Sequence, residues 1–278
     1  MEATSSAKQD VPYILAHSDR EIRRLKHQAD IINPITRRIL LAAGIAPGMR
    51  VLDVGCGAGD VSLLISDLVG ETGHVVGIDR APAALAAAER QVATHPVKNI
   101  SFREGDPASL SFEQPFDAAV GRYVLMFQAE PAAMLRAVAH HVRPGGIVAF
   151  HEPDWSGVWS TPSSPSYDQC CRWITETFKR SGIETHMGDR LDAVFRAAGL
   201  AAPSMRLESV IGGVKGGVDW AHQTFELLVT MCPEVVARGV ASELEIKITG
   251  LEQRIQSDVE AGSVIVGRSE IGAWAEVG

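Results

Sequence analysis

The stretch VLDVGCGAGD, residues 51–60, decides the fold. Val51, Leu52 and Val54 surround Asp53 in a short apolar run that reads as a strand, and Gly55, Gly57 and Gly59 follow at alternate positions ahead of a helix near 59–69. Glycine lets a backbone turn tightly and meet a ligand closely, and the first turn of the helix behind it offers unpaired N–H groups. A bare G-x-G-x-G also serves any tight strand-to-helix turn. The acid inside the strand, and the position at the head of alternating strands and helices, turn the pattern into a ligand loop.

Working outward, strands are expected at RVLDV (50–54), HVVGID (74–79), NISFRE (99–104), FDAAV (116–120) and GIVAFH (146–151), with helices at 82–94 and 131–142. Short, almost wholly apolar strands separated by helices imply a parallel sheet covered on both faces, a doubly wound α/β fold. Upstream, Ser18 to Glu21 fits a capping box, and Ile22, Leu25 and Ala29 recur at helical spacing until Asn33-Pro34 interrupts. A second helix then runs from Ile35 to about Ala43 and stops at Gly44. Downstream of His151 the rhythm breaks at Pro153, Pro162 and Pro165. Helices are expected at 166–180 and 189–198, a strand at 204–211, a helical stretch over 218–261 interrupted by Pro233 and Gly239, and a last strand, EIGAWAEV, at 270–277. The organisation is an N-terminal helical lid (1–45), a ligand-binding core (46–152), a cap insertion (153–187) and the rest of the core with a helical insertion (188–278).

Composition narrows the function. The chain has 278 residues, 46% hydrophobic and 22% charged, which excludes a mainly disordered protein. A formal net charge of −8 gives no global positive field for a polyanion, so no nucleic-acid partner is expected. No apolar run reaches membrane-spanning length, and MEATSSAKQD has no signal-peptide core, so the expected location is cytoplasmic, with no membrane partner. Cys56, Cys170, Cys171 and Cys232 form no C-x-x-C pair, so neither a zinc site nor a disulfide framework is indicated.

Asp79 ends the second strand, 20 residues beyond Gly59, where a carboxylate can accept both hydroxyls of a ribose, or simply start the helix at Pro82. Asp106, in EGDP after the third strand, either accepts an adenine amino hydrogen or shapes its turn. With these two acids, the 51–59 loop and LRAVAHHVRPGGIVAF (135–150), residues 50–152 resemble a class I S-adenosylmethionine (SAM)-dependent methyltransferase of the small-molecule type. The resemblance implies a Rossmann-like seven-stranded sheet with one reversed strand, which EIGAWAEV would supply, and helical insertions after strands five and six. It implies SAM as donor and S-adenosylhomocysteine as product. It places Asp53 and the loop Gly55, Cys56, Gly57 and Gly59 around the methionine portion, Asp79 at the ribose, and Gly105 and Asp106 at the adenine with Arg80 and Pro107 on its faces. Arg122 would sit near the donor's centre, offering mainly backbone, while Tyr13 and Gln28 of the lid reach the methionine end or form a solvated face. A dinucleotide fold is disfavoured because Asp60 replaces the third glycine of G-x-G-x-x-G. GRYVLMF (121–127) lacks the [DN]-P-P-[YF] pattern of base methylation.

Residues 150–178 concentrate aromatics, and Trp155, Trp159, Tyr167 and Trp173 are candidate walls of an apolar acceptor pocket, or the lining of a cap. His151, Glu152 and Tyr123 are candidate bases at the right edge of the sheet, and His186 is a further substrate-side candidate. The expected activity is O- or C-methylation of a small, largely apolar molecule of secondary metabolism by a monomer or homodimer. A SAM-binding cyclase or a non-catalytic SAM-binding protein is the alternative on the same fold.

Overall fold

In the computed structural model, which describes residues 19–96, 99–212 and 219–278, the first described element is one helix, α1 (Asp19–Ala43). The expected break at Asn33-Pro34 does not occur. An internal proline costs about 3 kcal/mol. Ile32, Ile35 and Ile39, all buried at helical spacing, recover roughly 1.5–3 kcal/mol each. Packing therefore outweighs the proline. Ser18, the expected N-cap, lies outside the described residues.

The expected core follows: β1 (Arg50–Val54), α2 (Asp60–Val69), β2 (His74–Asp79), α3 (Pro82–Ala93), β3 (Ile100–Glu104), β4 (Phe116–Arg122), α4 (Pro131–Ala139) and β5 (Val142–Asp154). β5 starts earlier and ends later than expected, because Arg143-Pro144-Gly145-Gly146 is already strand and Pro153 and Asp154 still pair with the neighbouring strand. Then come β6 (Trp159–Thr161), α5 (Pro165–Arg180), α6 (Met187–Ala197), β7 (Ser204–Gly212), α7 (Trp220–Ala237), α8 (Glu243–Ile246), α9 (Leu251–Glu260) and β8 (Val264–Glu276). α7 passes straight through Pro233, contrary to expectation, with Leu228, Met231 and Val235 buried around it.

Among the described residues the sheet has eight strands, not seven, in the order β3-β2-β1-β4-β5-β8-β6, with β7 also paired to β8. β1 to β5 are parallel, and β8 is the expected reversed strand, antiparallel to β5 from Ile147↔Glu276 to Asp154↔Ser269. The extra strand comes from the presumed cap, since β6 pairs with Val264–Val266 and so belongs to the sheet. α1 packs directly on β8. A Cβ at Gly272 would collide with Ile39, so only glycine admits this approach. No helix among the described residues is long and apolar enough to cross a membrane.

Candidate active site

β1 pairs in register with β2 and β4, Val54 opposite Ile78 and Gly121, so the turns after all three strands open at one edge of the sheet. Ligands of open α/β sheets bind at this carboxyl edge. Gly55, Gly57 and Gly59 have φ of +65°, +53° and +93°. The decisive position is Gly57: a Cβ there would meet nothing within 4 Å. Its conformation suits glycine, and its side opens onto space at the carboxyl edge of the sheet.

Asp79 holds this loop. Gly57 N donates to its Oδ2 at 2.9 Å and Ala81 N to its Oδ1 at 2.8 Å, leaving further lone pairs on both oxygens. Asp106 accepts from Ala108 N at 2.7 Å and forms an ion pair with Arg80, so these two candidates meet each other across the turn. Gly105 N donates to Asp79 O at 3.0 Å, tying the second and third turns together. Pro107 is buried, and its carbonyl accepts from His141. Asp53 lies inside β1, buried, and takes a 2.5 Å bond from Ser62 Oγ; burial lifts its carboxyl to about 7 against that bond. Cys56 is buried, which pushes its thiol up.

The family model described as methyltransferase domain matches residues 45–199. The chain belongs to the methyltransferase family. Among relatives of this methyltransferase, aklanonic acid methyltransferase of Streptomyces sp. (strain C5) is 31% identical over 150 residues, 54% of this chain and 67% of that protein. The 2-phytyl-1,4-naphthoquinone methyltransferase of Synechococcus elongatus is 38% identical over 114 residues, 38% of this chain and 48% of that protein. The methyltransferase thus spans about half to two thirds of the length of these curated relatives. The YcgJ protein of Bacillus subtilis shares the fold, with a TM-score of 0.54 at 16% identity over 91% of this chain and 100% of that one. In this member of the methyltransferase family the open side of Gly57 and the two-oxygen carboxylate of Asp79 lie together at the sheet edge, room and acceptors that a nucleoside donor would fit.

The acceptor-side candidates fare differently. Glu152 is wholly buried, with Val124 N and Leu125 N donating to Oε1 at 2.9 and 2.8 Å and Met126 N to Oε2 at 3.3 Å. It caps the 3₁₀ turn at Leu125–Phe127 and has no face left for a substrate; burial lifts its carboxyl to about 8. His151 is 2% exposed, with Nδ1 3.1 Å from Thr36 Oγ1 and Nε2 2.9 Å from Glu270 Oε2, and burial lowers its pKa. Tyr123 has φ +58° and donates its hydroxyl to Glu270 at 2.6 Å; burial raises its pKa. His151 and Glu152 are enclosed, while Tyr123 is partly buried and gives its hydroxyl to Glu270.

The aromatic candidates take different places. Trp155 (6% exposed) and Tyr167 (0%) are core, Trp155 edge-on to Phe178 and Tyr167 bonded to Val266 O, because α5 packs on α7 and turns its apolar face inward. Trp173 is partly buried against the same core, while Trp159 stands 48% exposed on the short strand β6. His186 is exposed, its Nδ1 3.4 Å from the buried Asp154 Oδ2. Gln28 is buried between Arg24 (3.0 Å) and Gln223 (3.4 Å) on α7, and Tyr13 lies outside the described residues.

Two residues escaped the sequence reading. Arg268 and Glu270, both buried on β8, form an ion pair of 3.0 Å. The guanidinium lies 5.0–5.3 Å from the ring centroids of Tyr123, Trp155 and Trp220. Burial would lift Glu270's carboxyl, but Arg268, His151 and Tyr123 together hold it below the ordinary glutamate range. The available signal was two opposite charges, two apart, in the otherwise apolar run VIVGRSEIGAWA.

Proposed function

We propose that the enzyme transfers the methyl group of SAM to an oxygen or activated carbon of a small, largely apolar acceptor and releases S-adenosylhomocysteine. The observation that carries this is the Gly57 loop held open by Asp79 at the carboxyl edge. The names of the relatives, an aklanonic acid and a phytyl-naphthoquinone methyltransferase, support the acceptor class. Asp79 would accept the ribose hydroxyls, the Asp106 turn the adenine amine, and the backbone at Gly55 to Gly59 the methionine portion. When bound, SAM supplies an electrophilic methyl on a sulfonium, so the protein's task is alignment and exclusion of water. α1 spans the end of β4, where Asn33 and Thr36 receive Arg122, and so covers the edge on which the acceptor must approach. With Glu152 bonded to the turn it caps and His151 enclosed, the acceptor's own acidity, not a protein base, would prepare the nucleophile. The enzyme would act in the cytoplasm as a monomer or homodimer, and the net charge of −8 argues against a nucleic-acid partner.

The test is incubation with methyl-tritiated SAM and a panel of apolar phenols, enols and carboxylic acids, followed by organic extraction. Label in the extract is expected with at least one acidic acceptor. Tight S-adenosylhomocysteine binding with no label transfer to any compound would reject this reading.

A further inference from the structure

A chain of polar groups runs from β8 to α1 and ends at Arg122. Arg268 Nε donates to Glu270 Oε1 at 3.0 Å, and Arg268 Nη2 to Tyr123 Oη at 3.0 Å. Glu270 Oε2 accepts from Tyr123 at 2.6 Å and lies 2.9 Å from His151 Nε2. His151 Nδ1 lies 3.1 Å from Thr36 Oγ1, which in turn accepts from Arg122 Nη1 at 3.1 Å. Asn33 Oδ1 takes the same Nη1 at 2.7 Å. Arg268, Glu270, His151 and Thr36 are all buried, whereas Arg122 is only half-buried.

Buried charged networks are weak contributors to stability, since the cost of desolvation offsets much of their attraction. This one has a direction: its groups converge on one nitrogen of one guanidinium. Both partners of that nitrogen are neutral, and among the described residues Arg122 makes no ion pair, whereas Arg268 has Glu270. Asp53, whose field reaches Arg122, is already bonded to Ser62. Nε and Nη2 are thus a charged, two-pronged donor set at the end of β4, beside the glycine loop, with no anion assigned to it.

We propose that Arg122 binds a carboxylate in the ligand cleft through Nε and Nη2, held in register by Thr36, His151 and Glu270 as positioning residues. The inference rests on the donor-site reading above. A carboxylate has two sources here, the methionine end of the donor or an acidic acceptor, and the same geometry serves either.

Calorimetry on the full chain separates them. The probes are S-adenosylhomocysteine, 5′-methylthioadenosine (the same nucleoside without a carboxylate) and, on S-adenosylhomocysteine-loaded protein, 2-naphthoate against 2-naphthamide. Arg122→Met should weaken one carboxylate probe by about 10- to 100-fold, the scale of a charged hydrogen bond, and leave methylthioadenosine unchanged. Arg122→Lys should retain part of the affinity, and Thr36→Val, which keeps the cation but leaves Nη1 held by Asn33 alone, should show a smaller loss of the same probe. Selective loss of S-adenosylhomocysteine assigns the donor's carboxylate, and selective loss of 2-naphthoate an acidic acceptor. Unchanged affinity for both, or equal losses of S-adenosylhomocysteine and methylthioadenosine, overturns the proposal. If the wild-type chain binds neither nucleoside, the donor-site reading itself falls, and this inference with it.

Discussion

Replacing Asp79 with alanine tests the loop and the donor together. Its carboxylate takes charge-assisted bonds from the amides of Gly57 at 2.9 Å and Ala81 at 2.8 Å. Hydrogen bonds to charged groups contribute about 1.5–3 kcal/mol each. The site is only partly buried, so water can replace both partners, and the lower end of that range applies. Two such bonds give about 3 kcal/mol of lost loop order, roughly 150-fold in affinity, before any ribose contact is counted. Because these bonds exist without a ligand, the melting temperature should also fall by several degrees, while the loss of S-adenosylhomocysteine affinity is the larger effect. Asp79→Asn, whose amide can accept from one backbone N–H but presents a donor to the other, should lie between. Calorimetry measures the affinity, and hydrogen exchange at the Gly57 and Ala81 amides reports the loop directly. An affinity within threefold of wild type, with both amides exchanging faster, would sink the claim that this carboxylate shapes the donor site.

Gly57→Val should abolish S-adenosylhomocysteine binding while the protein stays folded, because a Cβ there meets no protein atom within 4 Å and φ of +53° adds about 1–2 kcal/mol of strain; normal calorimetric binding would contradict the cradle. Glu152→Ala should destabilise by roughly 3–6 kcal/mol in denaturant titration, since three buried amides lose their acceptor, whereas Glu152→Gln should fold and retain methyl transfer; an inactive but fully stable Gln variant would restore Glu152 as a base. The folded carboxyl keeps its proton up to about 8 while the unfolded chain releases it near 4.5, so this group's stabilisation is complete below 4.5 and is lost as pH rises through 8. Glu152→Gln should accordingly flatten the decline of stability across that window by up to about 1.4 kcal/mol per pH unit, read from denaturant midpoints. Trp155→Ala should cost about 3–5 kcal/mol as a core cavity, and Trp159→Ala less than about 0.5 kcal/mol, a contrast that thermal melts resolve.

The core from β1 to β5 was legible in the sequence because its signals are local. Apolar strands, the glycines between them and the acids that end them all act within a few residues of one another. The reversed last strand was legible through resemblance to the family. What the tertiary structure decided is of another kind. α1 and α7 continue through Pro34 and Pro233 because burial of Ile32, Ile35 and Ile39, and of Leu228, Met231 and Val235, outweighs a local penalty that no sequence window can set against it. β6 joins the sheet because β8 extends beyond the end of β5, which is a matter of strand register and not of composition. Tyr167 and Trp155 are buried because α5 settles on α7. The contacts that give Arg122, His151 and Glu270 their roles join residues 86, 115 and 147 positions apart, from Arg122 to Thr36, Thr36 to His151 and Tyr123 to Glu270. The sequence supplies the side chains of that chain of bonds; the packing of α1 against β4, β5 and β8 alone brings them within hydrogen-bonding distance.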